Sequence, residues 1–211
     1  MDGPSGALLI VAAMTMVTDW WAVWSDRPAV EQAAKPAVMV ALIALALTID
    51  AEPSSVVPWI VAALACGLVG DVALLPTVDR FIVGLGAFLV GHLAYLVAFI
   101  IMWEPNAWLI AGVVGATALL TAFGIPIIRS VRTSRLAGPV VVYIAVSAAV
   151  MVTGSGTGRW LAAVGVLAFG LSDGLLGHDR FVAPRPQGRV GVHVLYHVAQ
   201  CALVISTTMP S

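Results

Sequence analysis

Two aspartates inside long apolar stretches are the residues of this sequence with the clearest capacity for chemistry. Asp71 and Asp173 follow similar segments, Gly-Leu-Val-Gly and Gly-Leu-Ser. Ionisable groups at membrane depth are costly, so they commonly mark a functional site. Burial and a second nearby carboxylate both favour the protonated form, so one aspartate of a pair can hold a proton while the other is ionised. We therefore predict that the two aspartates share a pocket as a general acid and an anionic stabiliser.

Other ionisable side chains also fall within the apolar stretches. They are Asp19, His92, His193 and His197. His193 and His197 are four residues apart, a spacing that also occurs in metal sites. No neighbouring motif supports a metal, so we predict neither a metal nor any other cofactor. For Asp71 and Asp173 the alternative is a structural role, in which each caps a helix or pairs with Lys35 or an arginine.

The elements that must position these residues are membrane-spanning helices. Of the 211 residues, 61% are hydrophobic and 10% are charged, and the mean hydropathy is +1.03. Soluble domains carry roughly 25% charged residues, and a bilayer core needs an apolar stretch of about 20 residues. We predict an all-α integral membrane protein of about eight helices, forming a single polytopic domain over residues 1–211. The predicted spans are 6–24, 35–49, 58–75, 81–103, 107–128, 137–153, 159–176 and 190–208.

Lysine and arginine are concentrated at one set of helix ends. Nine of the ten lie in or beside the loops after the first, third, fifth and seventh predicted helices, and only Arg159 lies on the other side. Positive charge near helix ends is retained in the cytoplasm. We therefore predict a multi-pass protein of the cell membrane with both termini extracytoplasmic.

The two aspartate segments begin a longer repeated pattern. Each is followed by Asp-Arg-Phe, at 79–81 and 179–181, and then by His-x-x-Tyr, with Asp-to-His intervals of 21 and 20 residues. Four helices separate the two copies, so both cross the membrane in the same direction. This pattern predicts a possible parallel four-plus-four repeat about an axis along the membrane normal. Chance similarity between apolar helices is the alternative.

In their order and spacing, these polar motifs resemble the YhhN family of membrane proteins, which includes lysoplasmalogenases. The resemblance covers nearly the whole chain. The residues that carry it are Lys35-Pro36, Gly70-Asp71 followed by Leu74, Gly91-His92 with Tyr95, Pro139 with Tyr143, Ser172-Asp173, and Tyr196 with Gln200. It implies hydrolysis of the vinyl ether bond of a lysoplasmalogen, which gives a fatty aldehyde and a glycerophospho-head group.

Vinyl ether cleavage suits a carboxyl pair, because protonation of the double-bond carbon gives an oxocarbenium ion that water captures, as in glycoside hydrolysis. We predict Asp71 and Asp173 as the catalytic residues, with Lys35 at the cytoplasmic interface meeting the substrate phosphate. The resemblance implies the full set of predicted substrate-binding residues, which is Lys35, His92, Tyr95, Tyr143, Ser172, Tyr196 and Gln200. The predicted partners are a lysophospholipid substrate and bilayer lipid, without nucleic acid. A small proton-coupled transporter is the alternative function, because buried aspartates and histidines also occur in carriers.

Overall fold

A computed structural model describes residues 3–185 and 188–210, and within these ranges it contains helices and no strands. Eight of the helices are long and apolar enough to cross a membrane. We number them α1 Gly3–Trp24, α2 Pro28–Thr48, α3 Ser54–Leu74, α4 Phe81–Ile101, α5 Trp108–Val131, α6 Ala137–Ser155, α7 Trp160–Phe181 and α8 Gly188–Ser206. The predicted all-α membrane fold of about eight helices is confirmed.

The second helix begins seven residues earlier than predicted. Pro28 occupies its first turn, a position that proline favours because its missing N–H would be unpaired there in any case. Lys35 was predicted to open this helix, and that boundary is wrong, because the helix starts at Pro28. With a rise of 1.5 Å per residue, Lys35 lies about 10 Å inside α2, and only 7% of it is exposed.

Two helices contain short irregular segments. The first turn of α3 is a 3₁₀ turn over Ser54–Val56, and α5 contains a π-helical turn over Leu120–Gly124. A π-helical turn inserts an extra residue into a helix and is often found beside functional sites. The turn in α5 reorients the side chains of its second half, several of which line a pocket described below.

The helices pack most closely as sequential antiparallel pairs, α1 with α2, α3 with α4, and α7 with α8. Small residues allow the close approach of α3 and α4, since a Cβ added at Gly70 would lie 2.7 Å from the Phe88 ring. The pairs also contact other helices: α4 packs against α6, and α8 packs against α1 and α2. Large apolar side chains such as Ile10, Met14 and Val17 cover the outer face, as expected for a surface that contacts lipid.

Arg159 is a structural residue at the end of the bundle that carries both termini. Its Nε donates a hydrogen bond of 2.7 Å to the Met209 carbonyl, and its Nη2 donates one of 2.7 Å to the Glu52 carbonyl. Burial lowers the pKa of the guanidinium. The side chain therefore joins the start of α7 to the loop after α2 and to the end of the chain.

We expect the loops after α1, α3, α5 and α7 to face the cytoplasm, because they carry nearly all the basic residues. Ser134 and Ser54 are exposed at opposite ends of the bundle. In a background with Cys66 and Cys201 replaced by alanine, an impermeant maleimide applied to intact cells should label Ser54→Cys and spare Ser134→Cys. The reverse labelling pattern would show that the orientation is inverted.

Candidate active site

Asp71 lies one turn before the end of α3 and is bound from two other helices. Its Oδ1 is 3.3 Å from Nζ of Lys35 in α2, and its Oδ2 accepts a hydrogen bond of 3.0 Å from the Tyr196 hydroxyl in α8. Asp71 is 1% exposed. An isolated buried carboxylate is costly, so the Lys35 ammonium is the group that allows Asp71 to be ionised. The structure thus contains the Lys35 pair that the sequence left open as an alternative for this residue.

Asp173 lies in the middle of α7 and is bound from α4 and α6. Its Oδ2 is 3.2 Å from His92 Nε2, and it accepts hydrogen bonds of 3.1 Å from the Tyr143 hydroxyl and 3.3 Å from the Ser147 hydroxyl. Tyr143 and Ser147 are one helical turn apart, so both reach the same carboxyl oxygen from one face of α6. Within residues 3–185 and 188–210, Asp173 therefore has no lysine or arginine partner comparable to Lys35, and its ion-pair partner is a histidine.

The hydrogen bonds of His92 fix where its protons lie. Its Nδ1 is 2.8 Å from the Phe88 carbonyl oxygen, and because a carbonyl only accepts, Nδ1 carries a hydrogen. The Nε2 to Oδ2 contact with Asp173 then needs one further proton, which lies either on the ring or on the carboxyl group. The His92–Asp173 pair thus holds a single proton between Nε2 and Oδ2, 3.2 Å apart, a position from which a general acid can donate it.

The remaining predicted residues have supporting positions. The Tyr95 hydroxyl donates to Oε1 of Gln200, which links α4 to α8, and both side chains are buried. The Ser172 hydroxyl donates a hydrogen bond of 2.9 Å to the Val192 carbonyl. The proposed contacts of these residues with substrate stay predictions. Their observed role is to hold α8 against α4 and α7.

Two pockets meet at this site. The charged pocket has a volume of about 650 Å³, which includes space open to the outside, and its charged and ionisable lining residues are Lys35, Asp71, Asp173, Asp179, Arg189 and His193. The apolar pocket has a volume of about 800 Å³, which also includes space open to the outside, and its lining includes Phe81, Leu85, Leu119, Phe123, Ile144 and Phe181. Asp173 lines both, together with Leu74, Phe88 and Leu176.

The predicted site residues divide between these pockets. Asp71 and Asp173 line the charged pocket together, so the structure brings the two predicted catalytic carboxyl groups to one cavity. Three of the predicted substrate-binding residues line the charged pocket: Lys35, Ser172 and Tyr196. Tyr143 lines the apolar pocket. The other three, His92, Tyr95 and Gln200, line neither pocket. His92 thus contacts Asp173, which lines both pockets, without lining either pocket itself.

A family model confirms the resemblance of the motifs. The model of the YhhN family matches residues 30–207. This chain belongs to the YhhN family. No curated protein and no solved structure gives a significant match. The YhhN match includes Lys35, Asp71, His92 and Asp173, so the whole hydrogen-bonded centre lies within the family region, whereas Asp19 precedes it.

In the YhhN chain a third buried group lies beside the charged pocket. His193 Nδ1 is 2.7 Å from Asp19 Oδ2, and Trp20 Nε1 donates a hydrogen bond of 3.1 Å to His197 Nδ1. The sequence singled out these ionisable residues and gave them no role. It missed Ser147, Glu31 and Arg189, and the one-turn spacing of Ser147 from Tyr143 was the available signal for the first of these.

The contacts of the YhhN site cross between the two halves of the chain. Asp71 of the first half is bound by Tyr196 of the second, and Asp173 of the second half is bound by His92 of the first. Each aspartate thus contacts the His-x-x-Tyr helix of the other half. The predicted parallel repeat stays a prediction, and this crossed arrangement is the contact pattern that such a repeat would produce.

Proposed function

We propose that this YhhN protein is a membrane hydrolase that cleaves the vinyl ether bond of a lysoplasmalogen to a fatty aldehyde and a glycerophospho-head group. The observation that carries the proposal is the junction of a charged pocket and an apolar pocket at Asp173. A lysophospholipid has one charged head group and one apolar chain. The vinyl ether bond, which joins the chain to the glycerol of the head group, would therefore lie beside Asp173, whose carboxyl group shares a proton with His92.

The charged pocket offers a phosphate two cationic side chains, Lys35 and Arg189, which line it beside the carboxyl groups of Asp71, Asp173 and Asp179. Arginine binds phosphate through several N–H donors, and lysine through a compact positive charge. Arg189 is half-exposed at the start of α8 and its Nη2 is bound to Glu31 at 2.5 Å, which holds the guanidinium at the pocket wall. The apolar pocket would take the alkenyl chain, since aromatic and aliphatic side chains form its walls.

The proposed first step is transfer of the shared proton of the His92–Asp173 pair to the double-bond carbon farther from the ether oxygen. Asp173 delivers it, because Asp173 lines both pockets and His92 lines neither. The resulting oxocarbenium ion is favoured by the Asp173 carboxylate left behind and by Asp71, whose charge Lys35 offsets in part. Water then adds to the cationic carbon, and the hemiacetal collapses to the aldehyde and the glycerol hydroxyl.

The experiment is an aldehyde-release assay with purified protein in lipid nanodiscs and a defined lysoplasmalogen. We expect aldehyde from the vinyl ether lipid and none from the saturated ether lipid with the same head group and chain length, because only the double bond can be protonated. In D₂O the aldehyde should carry one deuterium on the carbon next to the carbonyl. Failure of every vinyl ether lipid to yield aldehyde would contradict the proposal, and transport of a solute by the same preparation would then favour the transporter alternative.

A further inference from the structure

A carboxylate and a histidine form a buried pair that the proton-donation step does not use. Asp19 of α1 is 0% exposed and its Oδ2 lies 2.7 Å from Nδ1 of His193 in α8. A contact this short between a ring nitrogen and a carboxylate is a charge-assisted hydrogen bond. It places the hydrogen of a neutral His193 on Nδ1 and leaves a lone pair on Nε2.

The Nε2 atom of His193 has no hydrogen-bond partner among the residues that the structure describes. His193 lines that pocket with Asp173. The nearest acidic atom to Nε2 is Glu31 Oε1 at 3.9 Å, beyond hydrogen-bonding distance, and Glu31 is bound by Arg189. A histidine that lines a reaction site, is oriented by a buried carboxylate and has no hydrogen bond at Nε2 has the arrangement of a general base.

The neighbouring histidine is excluded from this role by its own hydrogen bond. Trp20 Nε1–H can only donate, so His197 Nδ1 accepts and the ring of His197 is neutral with its hydrogen on Nε2. His197 Nδ1 is 3.8 Å from Asp19 Oδ2, a contact between two acceptors that adds no hydrogen bond. His193 is therefore the histidine that Asp19 orients.

We propose that His193 is the general base that activates the water attacking the oxocarbenium ion, with Asp19 as its positioning residue. This inference rests on the proposed function. It divides the reaction between two proton-carrying pairs, His92–Asp173 for protonation of carbon and Asp19–His193 for deprotonation of water.

The steps balance without any further reactant. The water oxygen bonds to the cationic carbon while His193 Nε2 takes one of its protons, which gives a neutral hemiacetal. The bond between that carbon and the glycerol oxygen then breaks, and the hydrogen of the hemiacetal hydroxyl moves to the leaving oxygen. The proton on His193 returns through solvent in the charged pocket to the His92–Asp173 pair, which restores both pairs.

Loss of the base and loss of the acid have different effects on deuterium incorporation into the unreacted lipid. Without His193, water capture becomes slow and the oxocarbenium ion persists, so it can return a proton from carbon to Asp173 and re-form the substrate. In D₂O this reversal replaces hydrogen by deuterium at the vinyl carbon of unreacted lysoplasmalogen. Without Asp173 no oxocarbenium ion forms, so the recovered lipid gains no deuterium.

The test is to incubate lysoplasmalogen with each variant in D₂O and to measure aldehyde and the deuterium content of the recovered lipid by mass spectrometry. For His193→Gln we expect aldehyde release to fall about 10²-fold or more while the recovered lipid gains deuterium. Asp19→Asn, which keeps the side-chain volume, should show the same exchange with a smaller loss. His178→Gln is the control histidine, because His178 lines neither pocket, and it should match the wild type in releasing aldehyde without exchange.

Each other outcome has a defined meaning. Unchanged turnover in His193→Gln, or lost turnover in both variants without deuterium in the lipid, would overturn the base assignment and leave the proposed function in place. No aldehyde from the wild-type protein would overturn the proposed function and this inference with it. Deuterium in the recovered lipid of Asp173→Asn would show that another group protonates the carbon.

Discussion

Asp173→Asn is expected to lower the turnover of a vinyl ether lysolipid by about 10²- to 10⁴-fold, the usual cost of losing a general acid. The asparagine amide can still accept hydrogen bonds from Tyr143 and Ser147, which now bind Oδ2 of Asp173. It cannot hold the proton that the carboxyl group shares with His92. The protein should therefore fold normally and bind lipid, and the loss should appear in kcat measured at saturating substrate.

Asp79→Asn is the matched control for this variant. Asp79 has a side chain that is 70% exposed and lies in the loop after α3, where its carboxylate is 3.6 Å from Arg180. Its positive φ of 43° is a conformation that asparagine also adopts readily. Turnover equal to that of the wild type is expected. If Asp173→Asn retained full kcat as well, Asp173 would not be the proton donor.

Lys35→Met is expected to destabilise the folded protein by about 3–5 kcal/mol, because it leaves the buried Asp71 carboxylate without its ion-pair partner. Adding Asp71→Asn removes the charge that needed compensation. The double variant Lys35→Met with Asp71→Asn should therefore recover most of the lost stability. Thermal or denaturant unfolding of the purified proteins in one detergent measures all members of this double-mutant cycle.

The sequence-based role of Lys35 gives a different expectation for the same variants. A lysine at the interface that only binds substrate phosphate would raise KM on substitution and leave the unfolding transition unchanged. If the effects of Lys35→Met and Asp71→Asn on stability simply add, the 3.3 Å contact between these residues contributes nothing. If Lys35→Met alone melts like the wild type, the ion pair is not needed to bury Asp71.

The number of helices and the two central aspartates were predictable from sequence, for the same physical reason. Apolar runs of spanning length are long and distinct, and a carboxyl group inside such a run stands out because its burial is costly. The start of α2 was not predictable in this way. Its first two turns include Glu31 and Gln32, and a criterion based on apolar length excludes polar residues whose partners lie on other helices.

The partners of the aspartates were less accessible to sequence reasoning. A hydroxyl such as that of Ser147 costs little inside a helix, because it can bond to the carbonyl of the preceding turn, so it does not stand out in an apolar run. The Glu31–Arg189 pair joins residues 158 positions apart, and no local pattern specifies such a contact. The two pockets depend on how the helices pack, including the π-helical turn of α5. The amino-acid composition does not determine that packing.

If the two halves are the predicted parallel repeat, the crossing of contacts between them has a consequence for the history of the fold. Neither half contains a complete centre, since Tyr196 binds the aspartate of the first half and His92 binds that of the second. A four-helix ancestor with one aspartate and one His-x-x-Tyr helix would have assembled this centre only as a parallel homodimer, with two equivalent sites related by its symmetry axis. Duplication and fusion of its gene would then have allowed the two copies to change independently. The lysine opposite one aspartate and the histidine opposite the other are the kind of divergence that a fused chain permits and a homodimer forbids.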